Sequence, residues 1–176
     1  MTETFGTDIR ATFAAFYEEY MPKVFRYMHF RLNDEHLSED LTSEVFEKAL
    51  VNFNKYSKKK ASFSTWIFTI AKNTVIDYYR TSSRKQFTLM DESFESPSRE
   101  LLPEEELEEK EERELLNNSL KLLSEEEQEL IRLKFSARLN NRQIALLTGM
   151  SESNVGVRLY RTLKKLRDNL RVSLSG

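Results

Sequence analysis

"LNNRQIALLTGMSESNVGVRLYRTLKKLR", residues 139–167, reads as two helices with a tight turn between them. Asn140 stands where a helix start needs an acceptor for its unpaired N–H groups, and Gln143, three residues on, reaches back to the cap. Ile144, Ala145 and Leu147 supply the buried face of this short helix. Gly149 follows where the chain must leave the helix through a left-handed conformation. Ser151 caps the second helix, whose apolar stripe is Val155, Leu159, Leu163, Leu166 and Leu170. Two helices joined by a turn of three or four residues containing Gly form a helix-turn-helix, whose second helix lies in the DNA major groove. Asn154, Val157, Arg158 and Arg161 fall off the apolar stripe, where side chains meet bases and phosphates, and the planar fork of Arg suits both. A basic solvated face would carry the same charges, so the stretch alone leaves both readings open.

Working outward, Ser124 with Glu127 makes a second capping box, opening a helix expected to bury Leu130, Ile131 and Phe135. Further upstream, Ile9, Phe13, Phe16, Tyr17 and Tyr20 fall at helical spacing, as do Leu37, Leu41, Val45 and Ala49 beside Phe46, Leu50 and Phe53. Phe63, Trp66, Ile67, Ile70, Ala71, Thr74, Val75 and Tyr78 keep a strict three-four rhythm over a long helix, and the three helices should share a core. Between Thr81 and Leu102 the rhythm lapses into "TSSRKQFTLMDESFESPSRELL", which reads as a linker. Pro103 suits the first position of the next helix, with glutamates after it at the positive end of the dipole. The expectation is an all-α fold with almost no sheet: two small helical domains, 1–80 and 103–176, joined by a flexible acidic linker, 81–102, the C-terminal domain being the helix-turn-helix.

Charge alternates along the same divisions. Residues 1–47 carry four Lys and Arg against ten acids, and 48–85 carry nine against Asp77 alone. Residues 91–114 then set three against twelve acids, while ten basic residues follow Leu130 against Glu152 and Asp168. A formal net charge of -2 hides two basic blocks, as expected of two polyanion contacts on two folded units.

Other classes lose ground. The chain has no Cys, which excludes disulfides, thiolate metal sites and cysteine nucleophiles together. His29 and His36 stand apart from any cluster at metal spacing, and no Gly-rich phosphate loop occurs, so no catalysis, metal or cofactor is expected. Both His side chains should be at the surface. "MTETFGTDIR" has acids and no apolar run, so no membrane insertion and a cytoplasmic location are expected.

At this point a resemblance becomes specific. "LSEEEQELIRLKFSARLNNRQIALLTGMSESNVGVRLYRTLKKLR" resembles the fourth domain of bacterial sigma factors, and "LSEDLTSEVFEKAL" followed by "FSTWIFTIAKNTVIDYYR" resembles their second domain. Together they are similar to the two-domain extracytoplasmic-function group. The resemblance implies an alternative sigma factor that binds core RNA polymerase, through its clamp coiled coil and flap, and promoter DNA, with an anti-sigma factor as a further partner.

By the same resemblance, Asp40, Leu41, Glu44 and Phe46 fall in the core-binding motif, where Ser43 departs from the family's usual Gln. Leu41 and Phe46 should also pack internally. Lys55, Lys58, Lys59, Lys60, Ser64, Trp66, Lys72, Asn73, Asp77 and Arg80 match the minus-10 loop and helix; lysines there draw in phosphates, while polar and aromatic groups hold an extruded base. Trp66 also keeps the apolar rhythm, which favours a core position. Arg142, Ser151, Ser153, Asn154, Val157, Arg158, Arg161 and Lys165 match the minus-35 reader. Gly156 departs from the larger polar or basic residue common there: either the backbone approaches DNA closely or the specificity has shifted.

In that family the two promoter elements are separated by some seventeen base pairs, roughly 60 Å along the duplex. Twenty-odd residues reach about 75 Å fully extended but average about 25 Å as a coil, so the linker spans the gap only if held extended. Asp91, Glu92 and Glu95 would then either mimic nucleic acid in the polymerase channel or act as a solvating spacer. Two further classes remain: a dimeric helix-turn-helix regulator with a helical sensing domain, which does not require the basic block at 48–85, and a protein-binding helical adaptor, which does not require Arg158 and Arg161 off the core stripe.

Overall fold

A computed structural model describes residues 3–86 and 114–174. The described elements are all helical. Helix α1 spans Glu3–Leu32, α2 Glu35–Val51 and α3 Phe63–Gln86. Helix α4 covers 114–121. It is followed by α5 (Glu125–Ile131), a π turn (Arg132–Ser136), α6 (Asn141–Thr148) and α7 (Glu152–Leu174). The assigned linker begins inside α3, because 81–86 continue that helix. The rest of the linker, with Asp91, Glu92 and Glu95, and Pro103 beyond it lie outside the described residues.

Helix α1 runs through Pro22, which has no N–H to give the carbonyl one turn back. The neighbouring turn is braced by Lys23, which pairs with Glu19 at 3.0 Å and lies 4.5 Å from the centre of the Tyr20 ring. Asn33 closes the helix with φ 53, a left-handed position that Asn tolerates, and Asp34 caps α2 by accepting the Leu37 N–H at 2.9 Å. After α2, Phe53 and Tyr56 hold the chain to the body within an aromatic cluster. At its centre Phe16 stacks on Phe63 at 4.0 Å, and Trp66 sits half-buried at the rim, 5.1 Å from Tyr56.

The C-terminal caps form as the residue types require. Asn140 and Gln143 make a reciprocal capping box, as do Ser124 and Glu127. Gly149 closes α6 at φ 73, and Ser151 Oγ accepts the Asn154 N–H at 3.2 Å to open α7. In the first unit Tyr17 and Leu50, expected in the core by their spacing, are exposed, and in this unit two more expected core residues lie elsewhere. The π turn, in which the Ala137 N–H reaches the Arg132 carbonyl five residues back, turns Leu133 and Ala137 inward and leaves Phe135 53% exposed. On α7 the buried stripe is Val155, Leu159 and Thr162, with Leu166 partly buried below it, so Thr162 is buried to 2% exposure while Leu163 stays 38% exposed.

The units are docked. Helix α1 lies against the π turn and α3 against α6. One buried apolar cluster runs from Val24, Met28, Val45, Phe68 and Val75 into Leu130, Leu133, Ile144 and Val155.

Gly156 is half-buried on the α6 side of α7, where an added Cβ would meet only Asn141 Nδ2, at 3.6 Å. Gly156→Ala should therefore fit and stabilise the protein by about 1 kcal/mol through helix propensity, read as a rise in melting temperature of about 2–4 °C.

Candidate nucleic-acid and polymerase interface

Helix α2 presents Asp40 and Glu44 outward, one turn apart, from a face whose other side buries Leu41, Val45 and Phe46. Leu41 and Phe46 are thus core residues, as their rhythm requires. Glu44 shares its carboxylate with Lys48 at 2.6 Å, and Lys48 also donates to Thr74 Oγ1 at 3.1 Å, tying α2 to α3. Beside Phe46, a groove of about 280 Å³ between α1 and α2 is lined by Tyr17, Met21, Phe25, Glu39, Thr42 and Ser43. Thr42 Oγ1 in that lining is buried and has no hydrogen-bond partner among the described residues.

The loop to α3 holds Lys58, Lys59 and Lys60 exposed, with Lys55 donating to Asn52 Oδ1 at 3.1 Å. Helix α3 continues this basic edge through exposed Asn73, Asp77 and Arg80, the last two paired at 3.0 Å. Two candidate residues on α3 turn elsewhere. Ser64 is only 2% exposed and accepts a hydrogen bond from Gln143 Nε2 of α6. Lys72, half-buried, lines a cavity of about 410 Å³ between the units that also holds Glu125, Glu126, Glu129 and Arg158.

On α7 the candidate residues divide by face. Ser153, Val157 and Arg161 are exposed opposite the buried stripe, with Asn154 at its edge and Arg142 exposed on α6. Arg158 and Lys165 lie toward α5, where they pair with Glu126 and Glu127, each at 2.9 Å. The outward face also carries Tyr160, 71% exposed, and Lys164. Sequence reasoning passed over both, although their three- and seven-residue steps from Val157 place them on its side of the helix.

The Lys165 ammonium and the Ser124 backbone N–H hold the Glu127 carboxyl below its ordinary range. Burial and the Glu129 carboxylate push the Tyr27 phenol well above its own. Tyr27 therefore stays protonated: its hydroxyl donates to Glu129 Oε1 at 2.8 Å and accepts from Arg31 Nη1 at 3.2 Å. Neither Glu129 nor Tyr27 is distinguished by any motif in the sequence. Among the described residues no helix is long and apolar enough to cross a membrane, and no group of three metal-binding side chains occurs. His36 and His29 are exposed.

A helical body with an exposed acidic helix, a lysine loop and a capped helix-turn-helix defines a two-unit nucleic-acid-binding protein. The sequence matches the family models Sigma-70 region 2 over residues 16–85 and Sigma-70, region 4 over residues 113–166. It is 31% identical over 158 residues to the ECF RNA polymerase sigma factor ShbA of Streptomyces griseus, covering 83% of this chain and 81% of that one. It is 28% identical to SigM of Bacillus subtilis over 86% of this chain and 90% of that one. It is also 28% identical to BldN of Streptomyces coelicolor, over 88% of this chain but only 58% of BldN's length. The fold is that of the sigma factor RpoE of Bartonella quintana, solved with the anti-sigma factor NepR: the TM-score is 0.66 at 18% identity, covering 92% of this chain and 98% of that one. The chain belongs to the extracytoplasmic-function RNA polymerase sigma factors.

Because the Glu127 carboxyl is depressed in the folded protein, the pair contributes stability above the ordinary carboxylate pKa of 4.5 that is lost as pH falls through the folded value. Glu127→Gln should lower the melting temperature at pH 7 and flatten its decline on the acid side, measured by thermal scans from pH 7 to 3.

Proposed function

We propose that this chain is an alternative sigma factor that binds core RNA polymerase and directs promoter-specific initiation, acting in the cytoplasm and leaving RNA synthesis to the polymerase. The observation that carries the proposal is the coexistence, on one chain, of the exposed Asp40 beside a half-exposed Glu44, the lysine loop, and the capped helix-turn-helix with its basic outer face.

In this reading residues 1–80, with the α3 extension to Gln86, form the polymerase and minus-10 unit. Residues 103–176 form the minus-35 unit, and the intervening residues join them. Asp40 and Glu44 present carboxylates to basic groups on the clamp coiled coil, since charge-assisted hydrogen bonds are the strong ones. The adjoining apolar groove accepts a side chain from the same helices, and the unpaired Thr42 hydroxyl offers it a polar contact. Lys55, Lys58, Lys59 and Lys60 gather the separated strand's phosphates, while Trp66, at the edge of the aromatic cluster, is within reach of an extruded base. Base stacking of this kind contributes about 1–3 kcal/mol per base. Asn73, Asp77 and Arg80 extend the minus-10 contact along α3. On α7, Ser153, Asn154, Val157, Tyr160 and Arg161 face the minus-35 bases, and Lys164 with Arg142 meets phosphate.

An anti-sigma protein is a further proposed partner; RpoE and CnrH, the latter with a TM-score of 0.60, were solved in complex with NepR and the cytosolic domain of CnrY respectively. These bound forms share this chain's helical fold.

Size-exclusion chromatography with sigma-free bacterial core polymerase tests the first step. The wild-type chain should co-elute and Asp40→Ala/Glu44→Ala should not; a chain that runs alone and binds duplex DNA as a dimer overturns the proposal. For the holoenzyme on promoter DNA, Lys164→Ala should weaken binding across all sequences and reduce the log–log salt slope by about 1, whereas Arg161→Ala should cost about 1–3 kcal/mol mainly on the preferred minus-35 sequence.

A further inference from the structure

The first turn of α5 is acidic, with Glu125, Glu126 and Glu127, and two of these carboxylates are committed to α7. Glu126 Oε2 accepts from Arg158 Nη1 at 2.9 Å, and the same Nη1 meets Met150 Sδ, in the turn before α7, at 4.0 Å. Glu127 Oε2 accepts from Lys165 Nζ at 2.9 Å and also from the Ser124 N–H at 2.8 Å. The capping box thus fixes that carboxylate in place for Lys165. Arg158 and Lys165 are seven residues apart, about two turns, and share one flank of α7. Between the two helices lies a cavity of about 200 Å³ lined by Ser124, Glu126, Glu127, Arg158, Arg161 and Thr162.

We infer that Glu126 and Glu127 are positioning residues for DNA recognition: they stand in for phosphates, hold Arg158 and Lys165 on the α5 side of α7, and lower affinity for arbitrary duplex more than for the preferred site. The inference rests on the reading of α7 as a DNA-reading helix and takes nothing from the polymerase. A carboxylate pairs with a guanidinium through the same charge-assisted hydrogen bonds that a phosphate oxygen uses. Any duplex that reaches Arg158 must therefore first break its bond to Glu126. Arbitrary duplex draws its affinity from phosphate neutralisation alone, so each cation withheld removes one contact from it. A preferred site is held by base edges as well, through Ser153, Asn154, Val157, Tyr160 and Arg161 on the outer face. Those contacts seat α7 with its α5 flank turned from the groove, so the withheld cations matter least where the bases fit. Stability is a poor account of the arrangement: Glu126 is 74% exposed and Arg158 44%, and pairs so open to water have small net worth.

For the test, the full-length chain is titrated with a random-sequence duplex over a series of salt concentrations. Its holoenzyme is titrated with a duplex that the wild-type holoenzyme selects from a pool randomised over the minus-35 region. Glu126→Gln should raise affinity for the random duplex about two- to fivefold, the effect of removing an exposed competing pair, and steepen the log–log salt slope by about 0.9, one more phosphate contact. Affinity for the selected duplex should change less, so the ratio between the two falls. In an Arg158→Gln background the gain should vanish. Glu127→Gln, which keeps the reach of a capping box, should act likewise through Lys165. Glu152→Gln removes an exposed carboxylate of α7 outside both pairs, and should leave the slope unchanged. A gain that survives Arg158→Gln, or an equal steepening by Glu152→Gln, would reduce the effect to net charge and overturn the inference. So would a lower melting temperature with no gain on random duplex, the mark of a structural pair, or a loss confined to the selected duplex, which would make Glu126 the support of a base-reading Arg158. If the holoenzyme selects no sequence, the function proposed above falls, and the random-duplex titrations still decide whether the carboxylates withhold Arg158.

Discussion

Tyr27 serves both halves of the molecule with two ends of one side chain. Its ring packs edge-on against Phe68 of α3 at 5.6 Å, inside the first unit, and its hydroxyl reaches across to Glu129 in the second. The ring is fully buried, so its hydroxyl must find partners, and among the described residues these are Arg31 beneath it and the Glu129 carboxylate delivered by the other unit. Much of the arrangement follows from this. With Tyr27 fixed, α1 lies along the π turn, Arg31 comes within reach of both Glu125 and Glu129, and α6 settles on the start of α3. An apolar residue at position 27 would pack equally well in the first unit and would set no register for the second.

The parts of this fold that were legible in the sequence are those in which neighbouring residues answer each other. Asn140 with Gln143, Ser124 with Glu127, Gly149 and Ser151 each satisfy a helix end through partners three or four residues away, and all take the conformations their types predict. The long rhythm of α3 was equally plain, since the same face stays buried over several turns. What escaped was set by a change of helical pitch or by distant partners. The π turn inserts an extra residue between Leu130 and Ala137, so Phe135 rotates outward although its spacing from Ile131 is that of an ordinary helix. Thr162 rather than Leu163 is buried on α7 because α5 approaches from that side, which no local pattern records. Glu129 is the fifth residue of an acidic run, and nothing distinguishes it from the solvated glutamates before it until Tyr27 arrives from 102 residues away.

The same limit applied to the candidate site. Charge and spacing located the basic blocks, and the division of α7 into an outward face and an α5-facing flank needed the packing. Arg158 and Lys165 were attractive as DNA contacts because they lie off the apolar stripe; in the fold they are matched by Glu126 and Glu127, so phosphate must compete with an existing partner for each. These exposed pairs contribute little stability individually, about 0–1 kcal/mol. Their effect on recognition is larger, since they hold two cations close to α5 and leave Arg161 and Lys164 to the outer face. The resulting surface has few unmatched positive charges, and its isolated affinity for DNA should be low, because non-specific binding grows with the number of phosphates neutralised.

Weak isolated DNA binding is an advantage for a protein that must find promoters only as part of a larger complex. An α7 with every cation free would hold the chain on bulk DNA before it met the polymerase. Pairing two of them internally, and covering Ser64 and Lys72 with the other unit, would lower that competing affinity without altering the residues proposed to face the promoter. The α2 side needs no such restraint, because its acidic face is repelled by DNA and attracted only by a basic protein surface. The charge distribution thus fits the proposed role: an acidic α2 suited to a basic protein surface, and an α7 whose flanking cations are already matched by carboxylates of α5.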